Sequence, residues 1–595
     1  MKAASEGFDQ TVDVVVIGTG AGGMAAAVAA RKMGLEVLLL EKEPLYGGTT
    51  ARSGGVLWIP CNPISTFKPE PDSMDDARTY LKYECGDFHD GERVEAFLAN
   101  GPRMVDFFVR QTAVKLIALP DYPDYHAESP GGRMAGRSIM AAPLDGRELG
   151  DHIRSLRPPL KEITFVGMMF NSSAEVGHFF NVTRSFKSAA YVAKRLVTHA
   201  IEMMFHGRAM RLTNGNALAA RLAKSAFDLG IPMWLESPAR ALVRDGGRDG
   251  GRISGVVVGK PDGSSVRVGA QRGVVLAAGG FPQDVERRKR LFQHAPTGHE
   301  HLSPAPSGNT GDGLRLAESV GGQVGTELPN AAAWIPVSKV RRANGETGVF
   351  PHLIDRYKPG IIAVNREGRR FTNESDSYHD MGMAMQKHCA DGTEVAAWLI
   401  ADHRTIRRYG LGFAKPFPLP LGAHLRSGYL LRGKTLGELA AQAGIDGAAL
   451  QMTVDDYNVG AEEGKDLQFR RGWRVYNRFL GDKTHGPNPC VAPVKDGPFY
   501  AVKVVMGDLG TFAGIRTDRF ARVLDGEGRP VPGLFAAGND NASVMGGGYP
   551  GGGITLGPAM TFGFVAAEFM AGHGASEATA EARPSMTTAR GGSER

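Results

Sequence analysis

Apolar positions along the chain gather in a few dense runs, the first close to the N-terminus. Residues 12–17 (VDVVVI) are apolar nearly throughout, the pattern of a strand covered on both faces. Residues 24–33 then follow a helical pattern and 36–41 (EVLLLE) form a second strand, so a complete βαβ unit is predicted at the start of the chain. Strands of similar type are expected at 253–258, 273–277 and 533–537. The last lies near the C-terminus, which predicts a sheet assembled from both ends of the sequence. Between them, over 327–494, mixed helices and short strands predict an inserted second domain. Residues 151–207 include GHFFNVTRSFKSAAYVAKRLVTHAIEMMF, an apolar stretch broken by Lys187, Lys194 and Arg195 that fits a long amphipathic helix. Packing as a core or cap helix is the plain reading of that stretch; lying on a membrane surface is the sharper one, favoured by its basic polar face. From 573 to 595 the composition predicts a disordered tail.

Length changes this picture little: 595 residues are too many for one hydrophobic core, so at least two units are expected. Glycine, at 80 residues, clusters in a few places, which points to close backbone approach around a ligand. The formal net charge of +6 is small for the length, and runs such as Arg287-Arg288-Lys289-Arg290 and Arg470-Arg471 read as solvated helix faces; no nucleic-acid partner is called for. Cys61, Cys85, Cys389 and Cys490 lie far apart without a CxxC pair, as suits a reducing compartment. A polar N-terminus and the lack of a long apolar run make the cytoplasm the expected location, with membrane association resting on 151–207. Histidine shows no metal spacing, and no metal is expected.

The densest chemistry follows the first strand. In Gly18-x-Gly20-x-x-Gly23 the first glycine makes a tight turn, the second lets backbone approach a pyrophosphate, and the third allows close helix–strand packing. The helix N-terminus offers free N–H groups and partial positive charge to phosphates, and Glu41 stands where an acid takes ribose hydroxyls. This pattern alone leaves FAD and NAD open.

A second glycine cluster, Gly47-Gly48-Thr49-Thr50-Ala51-Arg52-Ser53-Gly54-Gly55, resembles the flavin-contacting loop of the fumarate reductase/succinate dehydrogenase flavoprotein superfamily. The segments around Ala278-Gly279 and Gly538-Asn539 are similar to its two further FAD segments. Thr49-Thr50 stand where one branch carries a flavin-linking His, so the resemblance implies FAD held without a covalent bond. Within the superfamily, Ser53-Gly54-Gly55-Val56-Leu57-Trp58-Ile59-Pro60 and Gly548-Tyr549-Pro550-Gly551-Gly552-Gly553-Ile554-Thr555-Leu556-Gly557 resemble the 3-ketosteroid Δ1-dehydrogenases and related cyclic-ketone dehydrogenases such as cyclohexanone dehydrogenase. The regions 120–126 and 368–378 do so more loosely.

The resemblance implies an α/β fold: a Rossmann-like FAD-binding domain over 1–326 with a helical insertion at 151–207, completed by 495–572, and an α+β catalytic cap over 327–494. It implies α,β-dehydrogenation of a cyclic ketone, a 3-ketosteroid or a smaller alicyclic ketone. Tyr378 is aligned with the family's base and Tyr125 with its partner. Tyr549 O–H and Gly553 N–H match the site that holds the developing enolate oxygen. Trp58, Tyr122 and Phe512 are expected in a neutral aromatic substrate pocket, and Gly48, Thr49, Thr50, Ser53, Thr555 and Leu556 around the flavin. A free Tyr titrates near 10, so the base needs a depressed pKa or a hydrogen-bonded neighbour. Arg369 and Arg370 occupy a segment that binds carboxylates in the reductase branch; here a structural role is expected.

Three other activities stay open at this point: Δ4(5α)-desaturation, fumarate-like reduction of an activated double bond, and service as an electron-transfer flavoprotein subunit. No second GxGxxG follows a strand, so the electron acceptor is expected to be a quinone, an electron-transfer protein or oxygen.

Overall fold

A computed structural model describes residues 7–65, 71–170, 173–183, 185–246, 251–342, 344–390, 392 and 394–573. Nearly all of the predicted tail lies outside them.

The first apolar run forms strand β1 (Gln10–Ile17), buried from Thr11 onward. Helix α1 (Ala21–Lys32) and strand β2 (Val37–Leu40) follow, and β1 pairs in parallel with β2. On its other side β1 pairs in parallel with Ser265–Leu276, which pairs in parallel with Pro530–Ala536 through Val274–Leu534, Val275–Phe535 and Leu276–Ala536. The C-terminal strand therefore sits in the same sheet as the N-terminal βαβ unit.

The strand predicted at 253–258 departs from expectation. Ile253–Gly259 is antiparallel to Ser265–Leu276 and to Ala239–Arg244. Its connection explains this: the five residues Lys260–Ser264 can close a hairpin, whereas a parallel partner needs a long crossover. Asp262 shapes the turn by accepting hydrogen bonds from the Ser264 N–H and O–H.

A second sheet is antiparallel in every pairing, in the order Thr347–Pro351, Ala332–Arg341, Phe499–Thr511, Ala396–Ala401, Ile361–Val364, with Leu431–Gly433 also on Phe499–Thr511. The long strand Phe499–Thr511 corrects the boundary expected at 494/495, since its whole length belongs to this sheet. At 13 residues it is long enough to serve three neighbours.

Helix Leu556–Met570 packs across α1 where both carry glycine: a Cβ on Gly563 would lie 2.4 Å from the Gly22 carbonyl oxygen. This contact brings the last described helix onto the first.

Residues 151–207 do not form one long helix. Short turns lead to Ser173–Phe180 and then to the helix Phe186–His206. That helix buries Ser188, Val192 and His199 and turns its bulkier apolar residues outward: Phe186 is 91% exposed, Val197 60%, Ile201 51% and Met204 77%. The long apolar stretch seen in sequence thus contributes little to the core. No described helix is long and apolar enough to cross a membrane.

Two basic runs also differ from the solvated faces expected. Arg287, Arg288 and Arg471 are buried. Arg288 donates to the carbonyls of Pro282 and His301 and to Gln283, and Arg471 to the carbonyls of Arg356 and Lys358, to Ser375 and to Glu374, so each guanidinium is spent on interior acceptors.

Candidate active site

The glycine motif opens onto a cleft between the first sheet and the segments 47–53, 277–279 and 538–556. Gly18 has φ +106°, and a Cβ there would lie 2.2 Å from the Ala277 carbonyl oxygen. A Cβ on Gly20 would meet only Thr50 Oγ1, at 3.7 Å, so its backbone is bare toward the cleft. Gly23 packs on Gly18, where a Cβ would sit 2.1 Å from the carbonyl oxygen. These are the three separate tasks the motif requires. No acidic side chain occupies the first turn of α1, which leaves its N-terminus suited to phosphate.

In the same cleft, burial raises the Glu41 pKa, while the Thr19 hydroxyl and the Glu43 N–H donate to its carboxylate. Gly48, Thr49, Thr50, Ser53, Ala278, Gly279, Gly538, Asn539, Thr555 and Leu556 line the cleft with Gly18, Gly20 and Glu41. Thr50 Oγ1 accepts the Ala21 N–H at 2.9 Å and Thr49 Oγ1 accepts from Asn309 at 2.9 Å. Gly54 is exposed, and Gly55 packs against the start of helix Asn214–Asp228, a Cβ there lying 2.3 Å from the Asn214 carbonyl carbon. A glycine-floored groove lined by a helix N-terminus and an acid fits FAD.

Several lining residues carried no signal in the sequence. Arg157 and Asn309 reach the cleft from distant segments. Asp540 is fully buried and accepts the Ala278 N–H at 2.6 Å and the Gly280 N–H at 2.8 Å, riveting two of the predicted flavin segments together. Burial pushes its pKa up to about 6, against the pull of those two N–H groups.

The tyrosines converge from three parts of the chain. Tyr378 is the first residue of the helix Tyr378–His388, capped by Ser377, whose hydroxyl accepts the Asp380 N–H. Tyr125 O–H donates to Tyr378 Oη at 2.9 Å, and Tyr122 Oη lies 3.4 Å from Tyr125 Oη. Tyr549 stacks on Tyr125 with ring centres 5.4 Å apart and meets Tyr378 edge-on at 5.0 Å. Phe512 closes on Tyr549 at 6.2 Å.

Burial raises the pKa of Tyr125, Tyr378 and Tyr549, and the neighbouring phenols add to it for Tyr125 and Tyr378; against this, the hydrogen bond from Tyr125 pulls Tyr378 down. Of the two devices expected for a tyrosine base, the structure therefore provides the hydrogen-bonded neighbour and not the depressed pKa. Beside them His379 accepts the Trp334 N–H on Nδ1 at 3.0 Å, and burial lowers its pKa to about 4, so it is a neutral member of the pocket.

Trp58 takes a different place from the one predicted. It is fully buried, its indole N–H donates to Asp124 at 2.7 Å, and its ring stacks on Phe97. Gly551 lies directly over it, a Cβ there falling 2.5 Å from the indole, so Trp58 supports the Tyr-Pro-Gly loop from behind. Gly553, with φ +104°, packs on the same strand, a Cβ meeting Trp58 N at 2.6 Å. Arg370 is held between Glu374 and Asp466, each at 2.8 Å in the interior, which commits it to the fold.

The sequence matches the family model described as "FAD binding domain" over residues 13–556, most of the chain. The chain belongs to this FAD-binding family. FAD is its cofactor. Within the family, the chain is 42% identical to a 4-oxocyclohex-2-ene-1-carboxylate 5-dehydrogenase of Sinomonas cyclohexanicum, over 93% of this chain and 92% of that one. It is 36% identical to a 3-oxosteroid 1-dehydrogenase of Mycolicibacterium smegmatis, over 94% and 97%. Its fold superposes with a TM-score of 0.87 on the crystal structure of the 3-ketosteroid Δ1-dehydrogenase of Sterolibacterium denitrificans in complex with 1,4-androstadiene-3,17-dione, at 36% identity, covering 95% of this chain and all of that one.

Proposed function

We propose that this protein desaturates a cyclic ketone, a 3-ketosteroid or a smaller alicyclic ketone, at the carbons α and β to the carbonyl. The observation that carries the reading is the Tyr125–Tyr378 hydrogen bond of 2.9 Å set against Tyr549 in a buried aromatic pocket. Tyr378, as its phenolate, takes the α proton and becomes a neutral phenol, and Tyr125 O–H steadies the negative charge of that phenolate beforehand. Tyr549 O–H and the Gly553 N–H hold the carbonyl oxygen as it gains charge, without which the α proton is too weakly acidic to leave. FAD, when bound, supplies the acceptor for the hydride from the β carbon. The second sheet, with the helix Tyr378–His388 packed on it, acts as the cap that excludes water from this step. With Thr49 and Thr50 engaged by Asn309 and the Ala21 N–H, this loop offers the flavin no linking side chain and binding is non-covalent. Anaerobic mixing with ketones from cyclohexanone to androstenedione-like steroids should bleach the flavin with at least one ring class; a flavin left oxidised by the whole panel would refute the reading.

The helix Phe186–His206 supports a second element, peripheral attachment to an anionic membrane. Its outward apolar stripe through Phe186, Val197, Ile201 and Met204 is bordered by Lys187 and Lys194 on the exposed surface. Burying one such side chain is worth about 1.5–3 kcal/mol, so Ile201→Glu with Met204→Glu should weaken sedimentation with phosphatidylserine vesicles by well over tenfold. Full-length protein that stays in the supernatant at low salt would dismiss the attachment.

A further inference from the structure

We propose that His126 is a positioning residue for the reaction, a clamp between Glu84 and Asp380 that holds Tyr125 at hydrogen-bonding distance from Tyr378. This rests on the base assignment above and adds a residue to it. His126 follows Tyr125 directly, and Asp380 lies in the first turn of the helix that Tyr378 begins. His126 Nδ1 is 2.6 Å from Glu84 Oε2 and Nε2 is 3.0 Å from Asp380 Oδ2. An ionised carboxylate only accepts, so both ring nitrogens donate and the ring is an imidazolium. Burial alone would lower its pKa, but the hydrogen bonds to Asp380 and Glu84 prevail and lift it to about 11. Burial would likewise raise Asp380, whose pKa is held at about 2, chiefly by His126.

The clamp joins three elements that meet nowhere else in sequence. Glu84 lies in the last turn of helix Met74–Cys85. In the same helix Tyr80 O–H donates to the Pro550 carbonyl at 2.6 Å and accepts the His126 N–H at 3.3 Å. Tyr125 N–H also donates to the Pro550 carbonyl, at 2.9 Å, one residue from Tyr549. The Tyr125 side of the pocket is thus fixed to Tyr549 through main chain. Its fixation to the Tyr378 helix is by charge, through Asp380, which Ser377 O–H also supports at 2.8 Å. Ring stacking tolerates sliding of a fraction of an ångström; a charge-assisted hydrogen bond at each ring nitrogen of the imidazolium does not. The other ionisable groups facing His126 are Tyr80 on helix Met74–Cys85, and Asp376 and His379 on the Tyr378 side. Burial raises the first two and lowers His379, so none competes for the imidazolium as Glu84 and Asp380 do.

His126→Gln carries no charge, and its two N–H donors sit on a single nitrogen, so it cannot reproduce the imidazolium's two donors on separate ring atoms. At saturating ketone its turnover should fall by roughly 10- to 100-fold, the scale of an ångström's misplacement, with KM moving less than about threefold and FAD retained. His126→Lys restores a cation between the carboxylates and should recover most of the loss. Combined with Tyr125→Phe, His126→Gln should add almost nothing, because the contact it positions is already gone. In a crystal structure of His126→Gln the Tyr125 and Tyr378 oxygens should have parted beyond hydrogen-bonding reach. That distance does not depend on which residue is the base, so a failed base assignment, shown by an active Tyr378→Phe, is told apart from a failed clamp. The clamp is overturned if His126→Gln keeps full turnover, if Lys rescues no better than Gln, if the losses with Tyr125→Phe simply add, or if the two oxygens stay together.

Discussion

Tyr378→Phe should lower turnover by about 10²–10⁴-fold, the range for loss of a general base, while FAD binding and ketone affinity survive. Phenylalanine keeps the ring that meets Tyr549 at 5.0 Å and Tyr125 at 5.5 Å, so the pocket loses an oxygen and keeps its shape. The pH dependence separates this loss from simple misfolding. Because burial raises the Tyr378 pKa, its phenolate fraction grows tenfold with each pH unit below that pKa. Wild-type kcat/KM should therefore climb through pH 7 to about 10 without levelling, and the residual activity of Tyr378→Phe should lose that slope. A variant turning over near the wild-type rate would move the base to Tyr125.

Tyr549→Phe should cost about 10²–10³-fold in turnover, the scale for one oxyanion donor. Its ring stays stacked on Tyr125 at 5.4 Å with an interplanar angle of 8°, so the flavin content of this variant should match wild type. Loss of the donor destabilises the enolate itself. Deuterium exchange at the ketone's α carbon, followed by NMR without turnover, should collapse in parallel with the rate. Exchange that persists at the wild-type rate would remove Tyr549 from that role.

The elements that sequence made legible are those specified within a few neighbouring residues. β1, α1 and β2 follow from one apolar run and one glycine spacing, and the strand at 530–536 from a short buried segment of the same kind. What sequence hid depends on partners far apart. Asp540 looks like any acid near a glycine turn, and its task appears only when the N–H groups of Ala278 and Gly280 come to it. Residues 253–259 have the apolar density of a parallel strand, and only their short connection to 265 makes them a hairpin. The tyrosines were found through the motifs around them, since a lone Tyr carries no mark of its neighbours. His126 closes the 120–126 segment, but nothing in the sequence pairs it with Glu84 and Asp380. Trp58 was assigned to the pocket by its type, whereas its indole N–H required a buried acceptor and found Asp124. The 186–206 stretch showed its apolar stripe but not the side it turns to solvent.

The Gly22–Gly563 contact between the first and last described helices also has a meaning in time. On a ribosome the glycine loop emerges early and waits for the strand at 530–536 and the turn at Thr555-Leu556 before its groove has a second wall. At synthesis rates of 5–20 residues per second that wait lasts about half a minute to two minutes. From the moment it emerges, the strand Ser265–Leu276 lacks its partner on the side away from β1, and the nascent chain has no complete seat for the nucleotide. Cofactor loading is in this way a late event, tied to release of the finished polypeptide, and a chain ending before residue 530 should be made colourless however much riboflavin the cell contains.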